Sequence, residues 1–190
     1  MIAESFTAFS GTRRIASGDL RTVALALKGL DELAAPLVFN DRTARRVELD
    51  LRGSAEEVLE RLGPIEPVRT GPGRPKLGVV AREVTLLPRH WEWLAAQPGG
   101  ASVALRKLVE VARRASAGAD ELRVAREAAY RFMHEVAGNL PGYEEATRAL
   151  FAGDRDAFSA HVSTWPEDVR DYVGKLAEEG FSPSTSPMAS

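Results

Sequence analysis

His90, His134 and His161 are the only imidazoles in the chain, and imidazole is the side chain best suited to proton transfer and metal ligation near neutral pH. They lie far apart in sequence. None has a ligand-type residue three or four positions away. His134 is adjacent to Glu135, but on a helix neighbours point to different sides. No metal site is expected from this spacing. Without cysteine, disulfides and thiolate ligands are impossible. No Gly-x-Ser-x-Gly or other nucleophile motif is present. Thr70-Gly71-Pro72-Gly73-Arg74-Pro75-Lys76 lacks the terminal Gly-Lys-Ser/Thr of a phosphate-binding loop, and its two prolines remove amides such a loop would use. These residues argue against an enzyme. No cofactor and no small-molecule ligand is evident.

The remaining chemistry is electrostatic. Formal net charge is −2, but it is unevenly distributed. From Arg69 to Arg114 there are nine Lys/Arg and three Glu, a net +6, while the remainder holds 16 basic and 24 acidic residues, a net −8. A basic middle between acidic flanks is the asymmetry of a segment that meets a polyanion. A solvated basic surface is the plainer explanation of the same numbers. Trp91, Trp93 and Trp165 could stack on bases. Trp91 and Trp165 fit core positions better, and Trp93 lies off the main stripe of its helix, where it could touch a neighbour or partner.

The elements that must position these groups follow from periodicity. At 190 residues with 44% apolar and 27% charged content, the chain can bury a core over most of its length. Phe6 to Phe9 and Arg13 to Ala16 flank a turn at Ser10-Gly11-Thr12, a hairpin pattern. Asp19 can cap a helix with Leu20, Val23, Ala24, Leu27 and Leu30 at helical spacing. Leu37-Val38-Phe39 then turns at residues 40–43 into an alternating strand over 46–51, in which Val47, Leu49 and Leu51 share one face. Ser54 and Glu57 form a capping box for a short helix to about Leu62. Residues 1–62 thus read as a ββαββα domain, possessing no catalytic motif.

Residues 63–78 hold four prolines and four glycines and read as a linker. Residues 117–180 read as a small helical array. Its first stripe is Leu122, Ala125, Ala129, Phe132, Met133 and Val136, and three shorter helices follow. Residues 181–190 read as a disordered tail. The expected class is α+β. The start, Met1 to Ser5, has no basic region followed by an apolar run, so no signal peptide is expected. No stretch approaches the ~18 apolar residues of a membrane helix. The cytoplasm is the expected location.

Residues 79–116 carry the most information. Val84-Thr85-Leu86-Leu87 is an apolar-alternating strand that runs into Pro88. A short helix follows to Gln97, then Gly99-Gly100-Ala101-Ser102, then a longer helix with Leu105, Leu108, Val109 and Ala112 on one stripe. This order resembles the ribbon-helix-helix family of bacterial repressors and antitoxins. The resemblance implies a homodimer whose paired strands lie in the major groove of DNA and whose second helix offers its start to a phosphate. Val84 and Leu86 would face inward, with Ala81, Glu83 and Thr85 outward, and Ser102, Arg106 and Lys107 near phosphate. Glu83 departs from the family pattern, because it would face a negative groove unless it accepts from a cytosine amino group. Shifting the register by one turns Arg82 outward but exposes Val84 and Leu86. Upstream, Gly73-Arg74-Pro75-Lys76 resembles the core of an AT-hook, which implies minor-groove or backbone contact by Arg74 and Lys76; Pro72 stands where such motifs carry arginine.

The function expected on these grounds is a DNA-binding protein of ribbon-helix-helix type, a transcriptional regulator or nucleoid-associated factor. The rival is a dimerisation or protein-interaction module that touches no DNA. A further rival is an enzyme within the ββαββα domain. The whole chain also resembles an uncharacterised bacterial family, domain of unknown function 2239. Residues 73–116, Ala128 to Met133 and Gly138 to Gly142 carry that likeness, and it implies no activity.

Overall fold

A computed structural model describes residues 4–30, 35–63 and 80–181. The stretch read as a linker lies outside the described residues beyond Gly63, and so does the expected tail beyond Phe181. The fold is mixed α and β. Among the described residues there are four strands in one antiparallel sheet and seven α-helices.

The first strands, β1 (Phe6–Ser10) and β2 (Arg13–Gly18), form the expected hairpin. The register shifts between Ala8 and Phe9, so Ile15 is an extra residue on β2. Helix α1 (Leu20–Lys28) starts where Asp19 accepts from the amides of Arg21 and Thr22. Those two bonds, with a third from the Thr22 hydroxyl, hold the Asp19 carboxyl below its ordinary pKa. Strand β3 (Leu37–Asn40) pairs with the far side of β1, and β4 (Arg46–Val47) pairs with β3. Sheet order is therefore β2-β1-β3-β4, with β1 and β3 central. The alternating run expected over 46–51 keeps its alternation: Val47, Leu49 and Leu51 pack on a core cluster while Arg46, Glu48 and Asp50 are exposed. Only its first two residues join the ladder. Helix α2 (Ala55–Arg61) opens with both halves of the capping box formed, at 3.3 Å and 2.7 Å.

Because side chains alternate across a strand, β1 feeds two cores. Phe6 and Ala8 point to one face and pack with Val23, Leu27 and Val38. Phe9 points to the other, with Phe39. There the sheet meets helices from the far end of the chain: the later part of α4 (Gly100–Val136), α5 (Tyr143–Ala152), α6 (Arg155–Val162) and α7 (Glu167–Ala177). Phe132 is the hub of this core. Its ring lies 5.0 Å from Phe9, 5.3 Å from Phe39 and 4.6 Å from Tyr172, in tilted or edge-on arrangements that suit the ring quadrupole. Trp165 is buried as expected, and its indole N–H donates to the Pro141 carbonyl at 2.7 Å.

Two compact units result, and they do not follow chain order. Residues before 65 and after 117 form one, and residues 65–117 form the other. In the sequence 1–62 and 117–180 look separate, since nothing in local periodicity reveals that Phe9 and Phe39 are covered by Phe132 and Tyr172. The boundary expected near residue 116 falls beside the division between the two units, but no loop marks it. Residues 100–136 are one continuous helix of 37 residues, and Gly118 within it costs helix stability without ending the hydrogen-bond ladder. Among the described residues, no helix is long and apolar enough to cross a membrane.

Candidate nucleic-acid interface

Of the residues expected to meet nucleic acid, Arg74 and Lys76 lie outside the described residues. The others belong to the second unit. Residues 81–87 are in no helix or strand, and among the described residues their amides take part in no backbone hydrogen bond. Leu87 is extended, at φ −66° and ψ 149°, which is the conformation a residue before proline favours. Pro88 then opens helix α3 (Pro88–Ala95), where its missing N–H costs nothing. The chain turns through Gln97 to Gly99 and enters α4, with the Gly100 amide donating to the Gln97 carbonyl at 2.9 Å. Gly99 has φ +86°, and a Cβ there would stand 3.1 Å from the Val103 side chain, so only glycine fits this corner.

Helix α4 begins two residues before Ser102, which therefore sits in its first turn and not at its cap. No acidic side chain shares that turn. Glu83, Thr85, Ser102, Arg106 and Lys107 are all exposed. The Arg106 guanidinium donates back to the Ser102 carbonyl at 3.1 Å. Farther along, Glu110 pairs with Arg113 at 2.8 Å and Arg114 at 3.6 Å, which removes part of the free basic charge. Leu94 and Ala104 are the buried apolar side chains of this segment. Trp91, expected in the core, is 41% exposed, and Trp93 is 53% exposed. Val84, Leu87, Leu108 and Val109 are also exposed. An extended segment and two helices are too few elements to cover their own apolar faces.

The first unit holds two arrangements that sequence reasoning missed. One is a polar network inside the sheet–helix core. Asp41 Oδ1 accepts from the Thr7 hydroxyl at 2.7 Å and from the Tyr172 hydroxyl at 2.9 Å. Ser17 Oγ lies 3.0 Å from Thr7 Oγ1, and Lys175 Nζ lies 3.9 Å from Asp41 Oδ2. Burial, then the nearby Asp41 charge, pushes the Tyr172 hydroxyl well above the ordinary phenol range. The network ties β1, the β3–β4 turn and α7 together. Its partners are up to 131 residues apart in sequence, so no motif spacing could have shown it.

The other arrangement is a groove between the β3–β4 turn and α4. Asn40 holds that turn: its side-chain oxygen accepts from the amides of Arg42 and Thr43, and its carbonyl accepts from the Ala44 amide. Ala44 is buried at φ 47°, a left-handed conformation unusual for alanine. Arg131 Nη1 donates to the Thr43 carbonyl at 2.6 Å and Nη2 to Glu127 at 3.0 Å. Tyr130 and His134, one helical turn apart, stack at 6.0 Å, and the Tyr143 hydroxyl lies 3.4 Å from His134 Nδ1. Burial, then repulsion from Tyr130, raises the Tyr143 pKa. The i, i+4 spacing of Tyr130 and His134 on a helix was visible in the sequence; their pairing with a turn from the sheet was not.

No curated protein and no solved structure matches the chain. Residues 5–177 match the family described as uncharacterized protein conserved in bacteria, DUF2239. The match spans nearly the whole chain, and the protein belongs to that family.

Proposed function

We propose that this protein is a homodimeric, cytoplasmic DNA-binding protein of ribbon-helix-helix type, acting as a transcriptional regulator or nucleoid-associated factor. The observation that carries the reading is the extended segment 81–87. Its amides donate to no backbone carbonyl among the described residues, and it runs directly into a proline-initiated helix, with Val84 and Leu87 exposed. An isolated strand of this length is not stable in water. A second copy would pair with it as an antiparallel ribbon and cover the apolar side chains of α3 and α4. Thr85 and Glu83 then lie on the ribbon's outer face. The first turn of α4, free of acidic residues, presents the Ser102 amide to a phosphate, with Arg106 and Lys107 beside it. Arg74 and Lys76 add backbone or minor-groove contacts.

Fluorescence anisotropy with a random-sequence duplex at low and moderate salt tests this, with mass measured by light scattering on the same sample. A dimer is expected whose affinity falls steeply with salt. Replacing Arg74 and Lys76 with Ala should reduce the log–log salt slope by about two, since each phosphate contact contributes roughly 0.9. An unchanged slope removes those two residues from the interface. A second reading is favoured by Glu83 and by the many exposed apolar side chains: the unit pairs with a partner and touches no DNA. A dimer that ignores DNA even at low salt selects it.

A further inference from the structure

The groove between the β3–β4 turn and α4 has the composition of a ligand site, and it stands independently of the DNA reading. Its volume is about 380 Å³, toward the small end of the ~300–1,000 Å³ of small-molecule sites. Its floor is apolar, made by Phe39 and Ala44, both buried. Tyr130, 37% exposed, and His134 provide ring surface along one wall. Arg45, at the end of the turn that Asn40 holds, and Arg46, the first residue of β4, also line the groove. Glu135 is a carboxylate on the lining.

The two arginines set this groove apart from an ordinary surface cleft. Arg131 is engaged by Thr43 and Glu127 and acts as a brace. Arg45 and Arg46 enter none of the ion pairs found among the described residues. Two arginines lining one groove suit the oxygens of a phosphate, which guanidinium groups bind by charge-assisted, bidentate hydrogen bonds. An exposed tyrosine beside an apolar floor suits a planar ring. We propose that this groove binds a nucleoside monophosphate, with the phosphate on Arg45 and Arg46 and the base against Tyr130. A single nucleotide fits better than a long strand. A volume of about 380 Å³ holds one nucleotide and not a strand.

The test is isothermal titration of the full chain with AMP, GMP, CMP and UMP in turn, with inorganic phosphate as a separate arm. At least one nucleotide is expected to bind at sub-millimolar concentration, with phosphate alone weaker by about tenfold or more. Replacing Arg45 and Arg46 together with Ala should weaken nucleotide binding by about tenfold or more. Y130A should weaken it by a similar factor, and Y130F, which keeps the ring, should retain it. Both arginines are exposed, so their replacement leaves the fold intact, which far-UV circular dichroism verifies. The proposal is overturned if none of the four nucleotides binds at millimolar concentration. It is equally overturned if phosphate binds as tightly as the nucleotides, or if affinity survives loss of both arginines.

Discussion

Replacing Tyr172 with Phe tests the polar network where it can be quantified. The hydroxyl is lost while the ring keeps its contacts with Phe9 and Phe132. What disappears is a 2.9 Å hydrogen bond to the Asp41 carboxylate. Hydrogen bonds to charged groups contribute about 1.5–3 kcal/mol. Asp41 keeps its bond from Thr7, which argues for the lower half of that range. For a chain of this length about 2 kcal/mol lowers Tm by roughly 4–8 °C. The pH dependence is the sharper check. The folded-state pKa of Tyr172 is raised, so the contribution is fully present below the unfolded value of about 10 and is lost as pH rises above it. Above that point the unfolded chain releases a proton that the folded chain retains, and wild-type stability falls by about 1.4 kcal/mol per pH unit from this group. The Phe variant lacks the effect. Urea unfolding followed by far-UV circular dichroism, from pH 7 to 11.5, should show the two proteins converging above about pH 10. A stability difference that stays constant across this range would refute the assignment of Tyr172 as a buried, neutral donor to Asp41.

Phe132→Ala removes the hub ring of the main core, where it is fully buried, and should cost about 3–5 kcal/mol, measured by urea unfolding. Ser54→Ala removes one half of the capping box of α2 and should cost about 1 kcal/mol, read as a Tm lower by roughly 2–4 °C. Gly118→Ala should raise stability by about 0.5–1 kcal/mol, because Gly118 is inside α4 and a Cβ there meets nothing within 4 Å; a lower Tm would contradict the continuity of the helix at that point.

Local elements were legible in the sequence because their signals are local. Asp19 and Ser54 mark helix starts through short-range hydrogen bonds. The apolar stripe from Leu122 to Val136 marks α4 by its period. The order ββαββα follows from alternation and turn residues, and it is the order of the structure. What was illegible is long-range. That β1 pairs with β3, so that the two hairpins form one sheet, depends on registers no single segment encodes. That Phe9 serves a different core from Phe6 follows from alternation, but the identity of the covering helices does not. The same holds for Asp41, an ordinary turn aspartate in the sequence and the acceptor of two hydroxyls in the fold. Helical spacing points Trp91 toward a core. Spacing shows which face is apolar but not whether anything covers it, and Trp91 is 41% exposed.

The main core has a consequence for how the chain is made. Phe9 and Phe39 emerge from the ribosome well before Phe132 and Tyr172, which cover them. Synthesis at about 5–20 residues per second leaves that face of the sheet uncovered for roughly 7–27 s. During this interval β1 and β3 present aromatic rings to whatever is nearby. A transcript truncated before residue 118 yields a sheet that can never be closed. Nascent-chain quality control therefore meets this protein as an open sheet until the covering helices have been made.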